Sequence, residues 1–375
     1  MTNTNATSNA IVNVQVAAIE QYMANLQTKD VMVHELFGFD TPVKGFEEPI
    51  AIPAEAHPLS PEIDKGYVFS KSQVRRFLLS MGARESVMLV GDKGTGKSSF
   101  IQQVMARMNL PLLAINGGPS LDEVDLLGCK TIKDGNVAYV DGILSYAFRK
   151  GVPVLIDELC TLKPGVLVAI NDILQGDRVV TLKHHGIDPT LDPRQLQNIE
   201  GSMSIVRHPG FRLFATDNTG GKAARDARFS GVHTQNSAVR SRFTSFKVVF
   251  MRPEDEVKAL WNAVNGDCDE EDQVDRSLLA LMVEFAFRFR AAFEQGESFD
   301  NISFRELKRW AKKYDAYGDL DEAFVDAIYT NLEESDQQLA EELFAETFGR
   351  DLRLTEEFQI SASSMLEEFI QRNAA

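Results

Sequence analysis

This 375-residue sequence contains a glycine-rich stretch from which its fold can be predicted: Gly91-Asp92-Lys93-Gly94-Thr95-Gly96-Lys97-Ser98. It fits the pattern G-x-x-x-x-G-K-[ST], in which glycines let backbone N–H groups curl around phosphate oxygens. The lysine of this pattern reaches the β and γ phosphates, and the final hydroxyl is a ligand of Mg²⁺. We therefore expect Gly91 through Ser99 to bind ATP, with Ser98 also holding the metal ion.

The residues around this loop supply the expected context. An apolar run, Val87–Val90, precedes it, and a helical pattern of apolar residues extends from Phe100 to Met108. The N-terminus of such a helix would direct its dipole at the phosphates.

Short apolar runs alternate with helical patterns from residue 67 to Pro253, which is typical of a parallel sheet covered by helices. The strand candidates are Ser86–Val90, Pro111–Asn116, Val152–Ile156, Phe211–Thr216 and Phe246–Phe250. Amphipathic helices are then predicted over residues 254–265, 275–294, 303–316 and 321–346. The sequence therefore predicts an α/β fold with a parallel five-stranded sheet, followed by an all-α domain.

We expect three regions along the chain. Residues 1–66 would form a polar tail, a weak helix over residues 11–36 and an extended connector, because residues 38–66 are rich in proline and glycine. Residues 67–252 would form the α/β domain, and residues 253–375 the helical domain with its C-terminal helices.

The formal net charge of −16 is concentrated in the last third of the chain. Residues 1–252 hold 27 basic and 25 acidic side chains, whereas residues 253–375 hold 12 basic and 30 acidic ones. Binding to nucleic acid needs clustered lysine and arginine, so a general nucleic-acid-binding protein is not expected. No apolar run is long enough for a membrane span, and three scattered cysteines favour a reducing cytoplasm.

Two apolar strands end in side chains suited to phosphate chemistry. The first ends in Asp157-Glu158, about 60 residues after the loop. We expect Asp157 to hold Mg²⁺ and Glu158 to act as general base on the attacking water. The second leads to Asn218, whose neutral amide can orient water, although Thr216 or Asp217 would serve as well.

Two arginines are candidates for stabilising the charge that develops during phosphoryl transfer. Arg242 closes a segment rich in basic residues, and would act in trans if it faces a neighbouring subunit. Arg305 falls in the first turn of a helix whose predicted capping box is Ser303 and Glu306. A basic residue is unfavourable there for dipole reasons, which is consistent with an anionic partner. A solvated basic surface is the alternative for both.

In their order along the chain, these motifs resemble those of AAA+ ATPases. A hairpin expected over Lys130–Gly142 and a second insert over residues 178–210 resemble the MoxR branch of that family. The sequence is also similar to the CobS-like ATPase subunits of cobaltochelatase, through stretches that include Glu35–Asp40, Pro61–Asp64 and Phe304–Trp310.

The resemblance implies a hexameric ring with ATP between subunits. It implies that Asp157 and Glu158 form the Walker B pair, that Asn218 is sensor one, Arg242 the arginine finger and Arg305 sensor two. It also implies a partner with a von Willebrand A domain and, in cobaltochelatase, a large subunit that inserts Co²⁺ into a corrin precursor.

The first hypothesis is therefore a Mg²⁺-dependent ATP hydrolase that remodels or activates a partner complex. A nucleotide-gated assembly scaffold, with incidental hydrolysis, is the alternative. A nucleic-acid-dependent motor ranks last.

Overall fold

The computed structural model describes residues 27–133, 135–182, 204–219, 237–266 and 273–354. They divide into two compact units. The first unit comprises the described residues up to Asp64, together with Phe69–Asp92 and Gly96–Val249. The second unit comprises Lys65–Val68, Lys93–Thr95 and the described residues from Phe250 onward.

The first unit is built on a five-stranded parallel sheet, which confirms the predicted fold. Its strands lie in the order β11-β3-β10-β7-β4. Their bounds are β3 Val87–Val90, β4 Leu113–Asn116, β7 Val154–Asp157, β10 Leu213–Asp217 and β11 Thr244–Lys247. Strand β10 pairs with β3 on one side and β7 on the other, and all five of its residues are buried. The continuous apolar runs of the sequence therefore reflect strands covered on both faces.

Strand β11 begins two residues earlier than predicted. It lies at the edge of the sheet, where Ser245 and Lys247 are exposed while Thr244 and Phe246 are half-buried. A strand with one solvated face alternates apolar and polar residues, so its start lacks the continuous apolar run expected of a central strand.

Short and medium-length helices complete the described part of the first unit. Their bounds are α1 Val33–Leu36, α2 Lys71–Gly82, α3 Lys97–Arg107, α4 Glu123–Leu127, α5 Ile143–Lys150, α6 Pro164–Ala169, α7 Asn171–Gln175 and α8 Ser237–Arg240. Helix α3 follows the glycine-rich loop directly and buries Phe100, Ile101 and Val104. The predicted strand, loop and helix around the phosphate motif are therefore present.

Residues 28–53 are more ordered than the extended connector that proline and glycine suggested. Strands β1 Thr28–Val31 and β2 Ile50–Pro53 pair in antiparallel fashion. Val43 and Ile52 are buried, and the Phe37 ring lies edge-on to Phe69 at 4.9 Å between centroids. Burial of apolar side chains thus holds this segment in a regular structure, which its proline and glycine content alone does not predict. Of the helix expected over residues 11–36, residues 11–26 lie outside the described residues, Thr28–Val31 form strand β1 instead, and Val33–Leu36 are helical.

Both predicted inserts contain paired strands. Strands β5 Gly128–Lys133 and β6 Asn136–Asp141 form an antiparallel hairpin with Lys133 opposite Asn136. They stand between α4 and α5, as the interrupted helical pattern indicated. Strands β8 Val179–Thr181 and β9 Ser204–Val206 pair in the second insert, and residues 183–203 between them lie outside the described residues.

The second unit is helical, with α9 Pro253–Asn265, α10 Arg276–Gln295, α11 Phe304–Tyr317, α12 Leu320–Ala327 and α13 Glu334–Phe348. Its core is aromatic: Phe285 packs on Trp310 and Phe324 at 5.6 and 5.1 Å between ring centroids. None of the helices in the described ranges has the length and apolar composition needed to cross a bilayer.

The helix predicted over residues 321–346 is divided into α12 and α13 by a 3₁₀ turn at Tyr329–Asn331. Phe324 and Phe344 both enter the same core, with ring centroids 5.2 Å apart. A continuous helix would separate residues twenty positions apart by about 30 Å along its axis. Because both rings are apolar and buried, the chain has to fold back between them.

We expect Phe344→Ala to destabilise the second unit by about 3–5 kcal/mol, because it leaves a cavity among the packed rings. The control is Phe299→Ala, since the Phe299 ring is 66% exposed. Thermal unfolding followed by circular dichroism should show a clear decrease in Tm for Phe344→Ala alone. Equal Tm values for the two variants would contradict this account of the core.

Candidate active site

The glycine-rich loop connects the carboxyl end of β3 to the first turn of α3. Gly94 and Gly96 both have φ of 83°, in the left-handed region that side chains with a Cβ rarely adopt. Gly96 is also the N-cap of α3, so the left-handed turn directs the first free N–H groups of the helix toward the loop. The loop therefore has the backbone form of an anion-binding site.

Lys97 is buried at the start of α3, with only 5% of the residue exposed. Its Nζ donates to the carbonyl oxygens of Gly91 and Asp92, at 2.8 and 2.7 Å. Burial lowers the pKa of Lys97, and the nearby carboxylates, with Asp157 the largest contributor, act in the opposite direction. A desolvated ammonium among backbone carbonyls is suited to exchange these contacts for phosphate oxygens.

The end of β7 lies beside the first turn of α3. Ser98 Oγ donates to Asp157 Oδ1 at 2.6 Å, and the Thr216 hydroxyl donates to the same carboxylate oxygen. Two hydroxyls from different elements thus fix one carboxylate. This pairing places together the two residues that the sequence predicted as the metal site.

Glu158 occupies a strained backbone position directly after β7, with φ of 53°. Its N–H donates to Thr216 Oγ1 at 2.9 Å, and its carbonyl accepts from the Thr161 hydroxyl at 2.8 Å. The residue itself is exposed, as a general base that reaches solvent water must be. The bonds on both sides of the residue hold a conformation that Glu158 would not adopt unaided.

Asn218 follows β10 and contacts the predicted base directly. Its Nδ2 donates to Glu158 Oε1 at 3.0 Å. The structure therefore brings together Ser98, Asp157, Glu158 and Asn218, which are far apart in the sequence. Of the three candidates, Asn218 is the one whose side chain bonds the Glu158 carboxylate, whereas Thr216 bonds the Glu158 backbone.

Two contributors to this site were not predicted as such. The sequence predicts Thr216 only as a substitute for Asn218, whereas its hydroxyl connects Asp157 to Glu158. Gly117 follows β4, and a Cβ there would lie 2.5 Å from the Glu158 carbonyl oxygen. The sequence does carry a signal for Thr216, because it is a polar residue within an otherwise apolar strand. The contribution of Gly117 becomes visible only from the register in which β4 pairs with β7.

The predicted arginines are not part of this hydrogen-bonded network. Arg242 lies after α8 and donates to the carbonyl of Ala238 on its own segment. Arg305 is exposed in the first turn of α11, in the second unit. The capping box before it is confirmed: Ser303 N–H donates to Glu306 Oε2 at 2.7 Å, and Glu306 N–H to Ser303 Oγ at 3.4 Å. The roles of both arginines remain predictions.

Asp217 and Cys160 form a buried layer beneath the network. Asp217 has no exposed surface, and its Oδ1 accepts from the N–H and hydroxyl of Thr219, each at 2.8 Å. Burial, with a smaller contribution from Asp217, raises the pKa of the Cys160 thiol to about 12. The thiol therefore stays protonated, and the layer contributes packing and not a nucleophile.

We expect Thr216→Val to decrease kcat for ATP by roughly 100-fold, because it leaves the Glu158 N–H unsatisfied and releases one Asp157 bond while preserving side-chain shape. Thr244→Val is the control, since the Thr244 hydroxyl bonds Glu85 at the edge strand. Steady-state ATP turnover measures both. Equal kcat values for the two variants would show that the Thr216 hydroxyl does not position the carboxylates.

We expect Cys160 to resist iodoacetamide at pH 8, because with a pKa of about 12 only about one thiol in ten thousand is ionised. Cys129 is partly exposed and provides the internal comparison. Mass spectrometry of the native protein should find Cys129 modified and Cys160 modified only after denaturation. Rapid modification of native Cys160 would contradict its burial.

The chain is similar in sequence to several known proteins. Residues 86–243 match the family described as AAA domain (dynein-related subfamily), a range that begins just before β3 and ends just before β11. The chain is 29% identical over 342 residues to the aerobic cobaltochelatase subunit CobS of a Sinorhizobium species, covering 89% of this chain and 95% of that protein. It is also 27% identical over 204 residues to protein NorQ of Paracoccus denitrificans, covering 54% of this chain and 64% of NorQ.

Among solved structures, the chain is similar to a putative ATPase from Cytophaga hutchinsonii, with a TM-score of 0.38 and 15% sequence identity. The alignment covers 80% of this chain and 88% of the other. The similarity to CobS extends well beyond the matched AAA domain. The site residues from Gly91 to Asn218 all lie within that domain. Residues 86–243 are thus identified as an AAA domain of the dynein-related subfamily, and the chain is similar to CobS over most of its length and to NorQ over about half of it.

Proposed function

We propose that this protein is a Mg²⁺-dependent ATP hydrolase that uses the hydrolysis cycle to remodel or activate a partner complex. The observation that carries the proposal is the hydrogen-bonded chain from Ser98 through Asp157 and Thr216 to Glu158 and Asn218. Hydroxyls, two carboxylates and an amide lie together at the end of the sheet where the phosphate loop begins, which supports the proposal. That combination is the one phosphoryl transfer to water requires.

The residues present fit a magnesium ion. The serine hydroxyl and the Asp157 carboxylate are hard oxygen ligands, and they already lie within 2.6 Å of each other. Bound there, Mg²⁺ would neutralise phosphate charge and orient the terminal phosphate. Ser98 would then bind the ion, and Asp157 would hold it directly or through water.

The remaining residues have separate tasks. Lys97 would donate to the β and γ phosphates, Glu158 would accept a proton from the attacking water, and Asn218 would orient that water. The Asn218–Glu158 contact constrains both side chains to one side of the site. We also propose that Arg242, from a neighbouring subunit, and Arg305 add positive charge at the γ phosphate.

Assembly and partner extend the proposal further. The similar protein CobS is by name a subunit of a cobaltochelatase, and the similarity covers most of both chains. We propose that this chain is likewise a subunit, in a ring of identical chains, hexameric by family resemblance. Its partners would be a protein with a von Willebrand A domain and, if the client is the same, a large chelatase subunit whose substrate is Co²⁺.

We expect Glu158→Gln to bind ATP normally but to hydrolyse it at least about 100-fold more slowly, because the amide cannot accept the proton. Lys97→Ala should lose ATP binding itself. Glu294→Gln, at an exposed position of α10, is the control and should match the wild type. Titration with a fluorescent ATP analogue and phosphate release measure the two properties.

Unchanged turnover in Glu158→Gln would remove Glu158 from the proposed role of base. The same variant, tagged and held in ATP, should also retain its partner on an affinity column. If the cell requires ATP binding but not hydrolysis, Glu158→Gln would support normal function while Lys97→Ala would not. That outcome would favour the nucleotide-gated scaffold.

A further inference from the structure

The second unit contains a buried ion pair that the ATPase chemistry does not use. Arg290 of α10 forms two hydrogen bonds with Glu256 of α9, at 2.7 and 2.8 Å, and the two side chains are 4% and 1% exposed. The guanidinium also lies 4.1 Å from the centre of the Phe250 ring. A buried pair of this kind is a weak source of stability, since desolvation offsets most of the attraction. Because desolvation of the pair is costly, its presence requires an explanation other than stability.

The third donor of Arg290 indicates what the pair does. Arg290 Nε donates to the carbonyl of Ile302 at 2.7 Å. Ile302 is itself buried, and it immediately precedes Ser303, the cap of α11. With Glu256 fixing the plane of the guanidinium, Arg290 therefore sets the position at which α11 begins.

A second buried charge holds the same segment from another helix. Asp336 of α13 has no exposed surface and accepts from the N–H groups of Phe299 and Asp300, each at 3.0 Å. Its Oδ2 also accepts from the Ser298 hydroxyl at 3.0 Å. The segment from Ser298 to Ile302 is thus bonded to α13 at one end and to α10 at the other.

We propose that Arg290 and Asp336 are positioning residues that fix the first turn of α11, and with it Arg305, for nucleotide binding. Two buried charges bonded to a five-residue segment constrain its backbone far more than a surface loop is constrained. The capping box at Ser303 and Glu306 transmits that position into the helix. The exposed Arg305 is then presented from a rigid support, which limits the entropy lost when it binds phosphate. This inference rests on the proposed function through the assigned role of Arg305.

The test compares Arg290→Lys with Arg288→Lys. Arg288 lies on the same helix and is also paired, with Glu284 and Glu346, but its side chain is 40% exposed. Lysine keeps the charge at both positions but cannot reproduce the three directed bonds of Arg290. We expect Arg290→Lys to raise the KM for ATP about tenfold with kcat within about twofold, and Arg288→Lys to leave both unchanged.

A double-mutant cycle separates positioning from a general structural effect. Arg305→Ala should raise the KM, and adding Arg290→Lys to it should cause no further increase. Asp336→Asn, which keeps the shape but loses the charge, should reproduce the effect of Arg290→Lys and provides a second variant if the first folds poorly. Circular dichroism establishes that each variant is folded.

The inference is overturned if Arg290→Lys raises the KM equally with and without Arg305, or if it behaves like Arg288→Lys. An inactive wild-type protein would instead count against the proposed ATPase function. If the wild type is active and Arg305→Ala leaves the KM for ATP unchanged, only the role of Arg305 and the positioning role of Arg290 and Asp336 are contradicted.

Discussion

Parallel pairing of β10 between β3 and β7 is the constraint on which the rest of the first unit depends. Parallel strands meet with their carboxyl ends at one edge of a sheet, so the residues following β3, β7 and β10 become neighbours whatever their separation in sequence. Asp217 lies opposite Val90, and Ala215 opposite Ile156. The glycine-rich loop, the acidic pair and Asn218 consequently share one edge.

Buried polar groups make this edge specific. Thr216 belongs to the central strand, and its hydroxyl satisfies the Glu158 N–H while holding the Asp157 carboxylate. Because Thr216 is fully buried, an unsatisfied donor beside its hydroxyl would be costly. The same bond that satisfies a backbone group therefore also fixes the geometry of the catalytic candidates, including the left-handed backbone of Glu158.

The second unit follows the same physical principle with different residues. Its aromatic core around Phe285 and Trp310 supplies the apolar burial, and Arg290 and Asp336 define one segment within it. Apolar packing tolerates many arrangements of similar energy, whereas directed bonds to buried charges permit few. Among the described acidic side chains of this unit most are exposed, whereas Glu256, Asp321 and Asp336 are buried and bonded.

The local sequence pattern is sufficient to predict the fold class, because the apolar runs of the buried strands and the glycine-rich loop have local signatures. It also identified Asp157, Glu158 and Asn218 as strand-end residues, since position at a strand end is a property of the local pattern. The structure was needed for the features that depend on neighbouring elements: the order β11-β3-β10-β7-β4, the bridging hydroxyl of Thr216, the close approach at Gly117 and the break between α12 and α13. Strand order, buried hydrogen bonds and return of a helix to its core are set by contacts between residues far apart in the chain, and a local pattern carries no record of them.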